Sequence, residues 1–276
     1  MKKFPFVYAV IGIFLSFSLF TAGYGNDDEL RVGHYPDGSR KFEAVYRNGE
    51  LHGVARFYSS QGLLEREEPY RNGKLHGVVL VYYPQGGLKD LWQFHEGVAE
   101  GLHETYFQSG KIQSRTRYKM GRRNGPSEFY FMNGKPQKEI NFEDGIVQGY
   151  GKSYFPDGSL KTSAEIKDDK FDGRVSKYYP GGGVSEECQY LQSIKDGACR
   201  TFYESGSLRS VMTYVKGAPS GRFLEFEPSG RLAQNAVMEK GAGASGGDRG
   251  GAITIDVTQE LYRPSVASEI SEEAAS

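Results

Sequence analysis

Hydrophobic positions recur along this chain with a fixed period of 24 residues, and polar residues and glycines fill the intervals. One series comprises Tyr46, Tyr70, Phe94, Tyr118, Phe142, Ile166, Tyr190, Tyr214 and Met238, and a second comprises Tyr58, Tyr82, Tyr106, Tyr130, Tyr154, Tyr178, Phe202 and Phe226. A period of this length is typical of a repeat array, in which one small unit is copied along the chain. The pattern therefore predicts tandem copies of a short aromatic-rich unit.

Glycines keep the same period at three positions of the unit. Nine of them, from Gly38 to Gly230, are each 24 residues apart, and two further series begin at Gly49 and Gly53. Pro36, Asp37 and Gly38 have the chemistry of a tight turn. Residues 47–53 predict a longer loop in which two glycines relieve left-handed backbone positions. Each unit therefore reads as a β-hairpin.

One face of each predicted strand carries the recurring aromatic residue and, two positions earlier, a small or apolar residue such as Ala44, Trp92 or Ile140. Glu68 is the exception. We expect this face to be packed, with each hairpin stabilised by its neighbours. The predicted fold class is all-β: an elongated array of about eight or nine stacked β-hairpin repeats in one twisted antiparallel sheet of roughly sixteen to eighteen strands.

The two ends of the chain depart from the repeat. Residues 1–25 begin with Lys2 and Lys3 and continue with an apolar run over residues 4–22, the pattern of a cleaved export signal. An uncleaved membrane anchor is the alternative. The repeat array covers residues 34–241. Residues 242–276 contain a glycine-rich linker, a candidate last strand at residues 253–257 and an acidic tail that we expect to be disordered. We therefore expect an exported protein that is periplasmic, secreted or on the cell surface.

Two cysteines are compatible with export. Cys188 and Cys199 are placed symmetrically about the loop that they flank, so they should face each other across paired strands. An oxidising compartment permits a disulfide between them. Two small buried thiols are the alternative interpretation.

The repeat resembles a known family. Residues 46–53 read Tyr-Arg-Asn-Gly-Glu-Leu-His-Gly and residues 70–77 read Tyr-Arg-Asn-Gly-Lys-Leu-His-Gly, which is similar to the MORN repeat core of aromatic–x–Asn–Gly–x–x–His–Gly. Residues 155–160, Phe-Pro-Asp-Gly-Ser-Leu, resemble the bacterial variant. Later units replace the histidine with other polar residues, which suggests that His52 and His76 are turn residues rather than metal ligands. The resemblance implies an array that mediates contacts, as in family members linked to membrane tethering, scaffolding, self-association or antitoxin roles.

No catalytic or cofactor-binding constellation emerges from the sequence, so we expect a protein that is not an enzyme and that holds no metal or other cofactor. A net charge of −1 argues against a nucleic-acid partner. The leading hypothesis is an envelope scaffold that contacts another protein, with self-association through an open sheet edge. A glycan- or lipid-binding module and an antitoxin-like protein are the alternatives.

Two sets of residues are candidates for binding. Six second rings of aromatic doublets are expected on the opposite face of their strands, where they could stack on sugars or hold an extended polypeptide: Tyr83, Phe107, Phe131, Phe155, Tyr179 and Tyr203. A curved sheet that shelters both sets of rings beneath long side chains is the alternative interpretation. Arg115, Arg117 and Lys119 project from one strand face and could meet anionic lipid or polysaccharide. Pairing of this basic strand with Glu139 and Glu143 of the neighbouring unit is the alternative.

Overall fold

A computed structural model describes residues 28–238 of the chain. All the regular structure in this range is β-strand, and no helix in it is long and apolar enough to cross a membrane. The export signal or anchor expected at residues 1–25 lies outside the described residues. So do the linker, last strand and tail expected at residues 242–276.

Strands follow one another along the described chain with short turns between them. They are Asp28–His34 (β1), Arg40–Arg47 (β2), Glu50–Leu51 (β3), Gly53–Tyr58 (β4), Leu64–Arg71 (β5), Lys74–Leu75 (β6), Gly77–Tyr82 (β7), Leu88–His95 (β8), Val98–Tyr106 (β9), Ile112–Lys119 (β10), Arg122–Tyr130 (β11), Pro136–Glu143 (β12), Ile146–Tyr154 (β13), Leu160–Lys167 (β14), Lys170–Tyr178 (β15), Val184–Leu191 (β16), Ile194–Phe202 (β17), Leu208–Val215 (β18), Ala218–Phe226 (β19) and Leu232–Met238 (β20).

The strands form one open antiparallel sheet. Both β3 and β4 pair with β2, and both β6 and β7 pair with β5, so each short strand is the start of an interrupted longer one. Elsewhere each strand pairs with the strand before it and the strand after it, from β1 at one edge to β20 at the other. The predicted all-β array of stacked hairpins in a single antiparallel sheet is confirmed.

Two kinds of turn alternate along the sheet. In the tight turn that joins β1 to β2, Gly38 has a φ of 87° and donates its N–H to the carbonyl of Tyr35 at 2.9 Å. In the turn after β2, Asn48 and Gly49 both have left-handed φ values, 53° and 82°. That is the pattern of a two-residue hairpin turn whose twist matches the flanking strands.

The prediction of a longer loop at residues 47–53 is therefore wrong. The glycine series that begins at Gly53 lies inside the strands rather than in the loop, because Gly53 is the first residue of β4. The equivalent Gly125 lies in β11 with a φ of 96°, opposite the point where the pairing with β10 shifts register. These glycines therefore form bulges that let an interrupted strand continue along the sheet.

One face of the sheet, here called the packed face, buries a continuous row of side chains. Each member of this central row faces the next across a strand pair: Val79, Trp92, His103, Thr116, Ser127, Ile140, Gly151, Ala164, Val175, Cys188 and Cys199. All are buried. The sequence prediction of the packed face is confirmed. Its exception, Glu68, is buried as well, where it pairs with Arg66 and accepts a hydrogen bond from Tyr70 at 2.8 Å.

The central row changes in character along the sheet. From Ile140 to Cys199 its members other than Gly151 belong to a large apolar cluster that also contains Phe142, Ile166 and Phe171. We call this part the apolar stretch. Before it lie His103, Thr116 and Ser127, which we call the polar stretch.

Candidate interaction surface

The six candidate aromatic rings lie in tight turns rather than in strands. Each follows the last residue of a strand, and all six are half-buried. The hydroxyl of Tyr83 donates to the carbonyl of Tyr106 at 2.6 Å, and that of Tyr179 donates to the carbonyl of Phe202 at 2.8 Å. The hydroxyl of Tyr203 likewise donates to the carbonyl of Phe226 in the following unit. These rings therefore lie one residue beyond the strand ends rather than within the strands.

Phe107, Phe131 and Phe155 occupy the same turn position without a hydroxyl group. They lack the hydrogen bond to the next unit that the tyrosines make. These three residues are nevertheless half-buried. Binding of sugars or peptide by the six rings stays a prediction.

The opposite long edge of the sheet is joined by its two-residue turns. Gly73 donates its N–H to the carbonyl of Leu51 in the preceding unit at 2.9 Å, and Gly97 makes the equivalent bond to Leu75 at 2.8 Å. In two later units the glycine is replaced by Asp169 and Ser193, which also adopt positive φ. The side chains of both residues accept an N–H from the preceding unit, so the substitution adds a hydrogen bond to offset the strain.

Polar side chains before the bulge glycines support the same edge. The His76 ring lies 3.2 Å from the carboxylate of Glu96, and Asn124 donates to Asp144 at 3.4 Å. Glu100 accepts the backbone N–H of Met120 at 2.6 Å. Each contact reaches the turn twenty residues further on. This geometry agrees with the interpretation of the histidines as turn residues.

The other face of the sheet, the open face, carries a ladder of charged side chains. Arg115 donates to Glu104 at 2.7 Å and lies 3.9 Å from Glu128. The hydroxyl of Tyr106 donates to Glu104 at 2.6 Å, and that of Tyr130 donates to Glu128 at 2.8 Å. Because these pairs are partly exposed, each contributes on the order of 0.2–1 kcal/mol.

Burial raises the pKa values of the ladder tyrosines. The pKa of Tyr106 is raised by loss of solvent and by its hydrogen bond to the Glu104 carboxylate. Burial and the hydrogen bond to Glu139 raise the pKa of Tyr154 to about 12. The neutral phenol is therefore the form that stabilises this face.

Of the three basic candidates, Arg115 takes part in this ladder, whereas Arg117 and Lys119 are exposed. Arg115 is paired, but with Glu104 and Glu128 rather than with Glu139. The expected pairing with the next unit is wrong for this residue, because Glu139 lies two strands away and contacts Lys152 instead. Anionic lipid or polysaccharide as the ligand of Arg117 and Lys119 stays a prediction.

An apolar row accompanies the ladder on the open face. It occupies the first position after the bulge glycine in the units from Gly53 to Gly149, and it includes Val54, Val78 and Tyr150, which are 40%, 42% and 67% exposed. Leu102 and Pro126 hold the same position in the units between. Sequence reasoning did not single out this row, although its 24-residue spacing is visible there. Rows of exposed apolar residues beside charged ones are typical of interaction surfaces.

The two cysteines face each other on the packed face. Cys188 pairs with Cys199 across β16 and β17, and a disulfide joins their sulfur atoms. Glu186 lies close enough to complete a three-ligand group with them. Since the disulfide uses both thiols, the described residues of this group do not offer thiolate ligands to a metal.

Sequence reasoning also missed a groove on the packed face. It opens at Gly151, has a volume of about 410 Å³, and is lined by residues that include Phe131, Phe155, Phe171, Lys138 and Lys161. The available signal was that Gly151 has no side chain at a position where the flanking units have Ser127 and Val175.

An open sheet made from one hairpin copied many times defines a tandem β-hairpin repeat protein. Residues 99–120, 123–144 and 195–216 match the MORN repeat variant, each segment ending at the first residue of a two-residue turn. These three segments are therefore MORN-type repeats, which confirms the resemblance predicted from the sequence. MORN repeats indicate a repeat-type protein-interaction module.

Among curated proteins, none matches this sequence. Matching solved structures include accessory secretory proteins 1, 2 and 3 of Streptococcus pneumoniae, at 20% identity over 38% of this chain and 19% of that chain, with a TM-score of 0.25. A porin-like protein from Bacteroides uniformis matches at 10% identity over 76% of this chain and 93% of that chain, with a TM-score of 0.19. The structure of TcdB2-TccC3-TEV matches at 12% identity over 80% of this chain and 15% of that chain, with a TM-score of 0.18.

Proposed function

We propose that the protein is an exported, non-enzymatic scaffold whose open face binds another protein of the cell envelope. The observation that carries the proposal is the exposed apolar row of Val54, Val78 and Tyr150 beside the Glu–Arg–Tyr ladder. Tyrosine and arginine are enriched at protein interfaces, and apolar residues among them supply the desolvated contact. Export rests on the sequence pattern of residues 1–25.

The sheet suits this role because its geometry is fixed along its length. Hydrogen bonds join successive units at both edges, and side chains such as Lys111 and Asn133 supply them where the turn ring has no hydroxyl. Side chains of the apolar row are therefore held about 10 Å apart, two strand spacings. A partner therefore meets a regular surface that is already ordered, which lowers the entropic cost of binding.

Crosslinking in intact cells tests the proposal. The tagged full chain is crosslinked, purified, and the captured proteins are identified by mass spectrometry. We expect one dominant partner that remains bound at high salt. The double variant Val78→Glu/Tyr150→Glu is expected to lose it, because two buried charges would be left unpaired in the interface.

Met132→Glu is the matched control, since Met132 is an apolar side chain with 66% exposure in a tight turn, away from the open-face row. Its capture should equal that of the parent chain. Capture of no protein by the parent chain, or equal capture by the double variant, would overturn the proposed role of the open face.

A further inference from the structure

A groove opens on the packed face at Gly151. In the other units the equivalent residues of the central row are Ala55, Val79, His103, Ser127, Val175, Cys199 and Phe223. Gly151 pairs with Ile140 on one side and with the small Ala164 on the other. Because two neighbouring positions of the row supply little or no side chain, a hollow of about 410 Å³ opens between β12 and β14. This volume lies within the roughly 300–1,000 Å³ of ligand-binding clefts.

The walls of the groove are aromatic. Phe171 is 4% exposed and belongs to the apolar cluster, while Phe131 and Phe155 are half-buried turn rings. Neither turn ring carries the hydroxyl that ties Tyr83 or Tyr179 to the next unit. The groove therefore offers apolar surface of the kind that accepts an aliphatic or aromatic side chain.

The rim of the groove is basic and hydroxylated. Lys138 lies at the start of a cross-strand row that continues with Ser153 and Thr162. The ammonium group of Lys138 is 5.9 Å from the centre of the Phe129 ring, and that of Lys161 is 6.0 Å from the centre of the Phe155 ring. Among the described residues that line the groove, none is acidic. The rim therefore favours a negatively charged group beside the apolar hollow.

We propose that this groove binds a partner polypeptide through one apolar side chain that is flanked by carboxylates. The apolar side chain fills the space that a residue at position 151 would take, and the carboxylates face Lys138 and Lys161. The inference rests on the proposed role as a protein-binding scaffold and names the chemistry of the partner segment. It adds a second contact site on the opposite face from the apolar row.

The test uses the full chain and a fluorescently labelled peptide, Gly-Glu-Phe-Glu-Gly, in an anisotropy titration. Gly151→Val copies the side chain that Val79 and Val175 place in the same row, so the variant should fold normally, as circular dichroism and chemical denaturation will show. We expect at least a tenfold loss of peptide affinity. The double variant Lys138→Gln/Lys161→Gln should lose affinity and its salt dependence, while Lys167→Gln, an exposed lysine outside the groove, should not.

The peptide itself has matched controls. Gly-Lys-Phe-Lys-Gly and Gly-Glu-Ser-Glu-Gly should both bind at least tenfold more weakly than the parent peptide. Equal binding of the parent peptide to Gly151→Val overturns the groove as its site. Absence of binding by the parent chain, with binding to phosphatidylglycerol vesicles instead, overturns the polypeptide as its ligand.

The two proposals fail in different ways. If the parent chain captures a partner in cells and Gly151→Val captures it equally well, the groove proposal is overturned while the scaffold proposal stands. If the Val78→Glu/Tyr150→Glu variant still binds the peptide but captures no partner, both proposals are supported as separate sites on separate faces.

Discussion

The polar and apolar stretches of the central row are buried to the same degree and yet differ in chemistry. Thr116 and Ser127 are 6% and 0% exposed, and Ile140 and Val175 are 2% and 5% exposed. In the apolar stretch the residues pack against Phe142, Ile166 and Phe171 of the same cluster. Their burial removes apolar surface from water and stabilises the sheet directly.

Aromatic rings cover part of the polar stretch instead. Trp92 stacks on His103 with 3.6 Å between ring centres, and Tyr118 lies 5.2 Å from Trp92. The hydroxyls of Thr105 and Ser114 are 2.7 Å apart, whereas the buried Oγ of Ser127 has no hydrogen-bond partner among the described residues. The degree of burial of a central-row residue therefore depends on the size of the side chains that cover it. The stability gained by that burial depends on whether the buried residue is polar or apolar.

The largest expected difference between the stretches comes from truncating the central row. Ile140→Ala should lower the free energy of unfolding by about 2–5 kcal/mol, because it removes buried methyl groups and leaves a cavity. Thr116→Ala in the polar stretch should cost only about 1 kcal/mol, because it removes a single buried methyl group. Urea unfolding followed by circular dichroism measures both. Equal losses at the two positions would break the comparison.

The single tryptophan of the chain sharpens this experiment, because Trp92 lies against the polar stretch. Its fluorescence reports on that part of the sheet, while circular dichroism reports on all strands. In a repeat array with nearest-neighbour stability, Ile140→Ala should shift the circular dichroism transition further than the fluorescence transition.

Reduction of the disulfide is expected to have the next largest effect. Cys188 and Cys199 are separated by 11 residues, and closing a loop of this length restricts the unfolded chain by about 2–3 kcal/mol. Adding dithiothreitol should lower the urea midpoint of the parent chain accordingly. The double variant Cys188→Ala/Cys199→Ala should be insensitive to the reductant. A reductant effect on that variant would attribute the change to something other than this bond.

Alkaline pH should weaken the apolar stretch through Tyr190. Burial, with a smaller contribution from the charge of Glu186, raises the pKa of Tyr190 to about 12. The pKa of Tyr190 in the folded protein therefore lies above the ordinary tyrosine value of about 10. The stabilisation that the neutral phenol gives the folded state is complete below pH 10 and is lost as pH rises towards 12. After allowing for solvent screening, the loss is on the order of 1 kcal/mol at pH 11. Denaturation at pH 8 and pH 11 measures it, and Tyr190→Phe should show a smaller difference between the two.

The smallest effect is expected at Ser127. Ser127→Ala removes a buried hydroxyl without a partner among the described residues, so it should leave stability unchanged or raise it by up to about 1 kcal/mol. Ser114→Ala is the matched control, because it removes a hydroxyl that is bonded to Thr105, and it should lower stability by about 1 kcal/mol. Both are read from urea midpoints. A clear destabilisation by Ser127→Ala would show that its hydroxyl is satisfied.

Much of the fold could be predicted from the sequence because each level of the pattern repeats. The 24-residue spacing predicted the hairpin, and the aromatic series predicted the packed face on which Tyr70 and Phe142 are buried. The symmetric placement of Cys188 and Cys199 predicted that they face each other, which the strand register shows. Alternation along a strand and antiparallel pairing are local rules, so a single sequence was sufficient for them.

What could not be predicted depends on where each strand ends and on cross-strand neighbours. The turn rings such as Tyr83 were assigned to strands because nothing in the amino-acid composition shows that the strand ends one residue earlier, at Tyr82. The partners of Arg115 depend on register, which a bulge at Gly125 shifts. The groove at Gly151 depends on which small residues face each other, and that became visible only when the pairing was known.

The hydrogen bonds along the edges allow the sheet to be lengthened or shortened by whole units. Each bond along the turns connects a residue only to the unit before or after it, as Gly73 does with Leu51. Insertion or deletion of one whole 24-residue unit would restore every such bond with a new neighbour. Duplication of such a segment can therefore lengthen the protein in steps without redesign of its core, and a hairpin can nucleate folding at any point of the array.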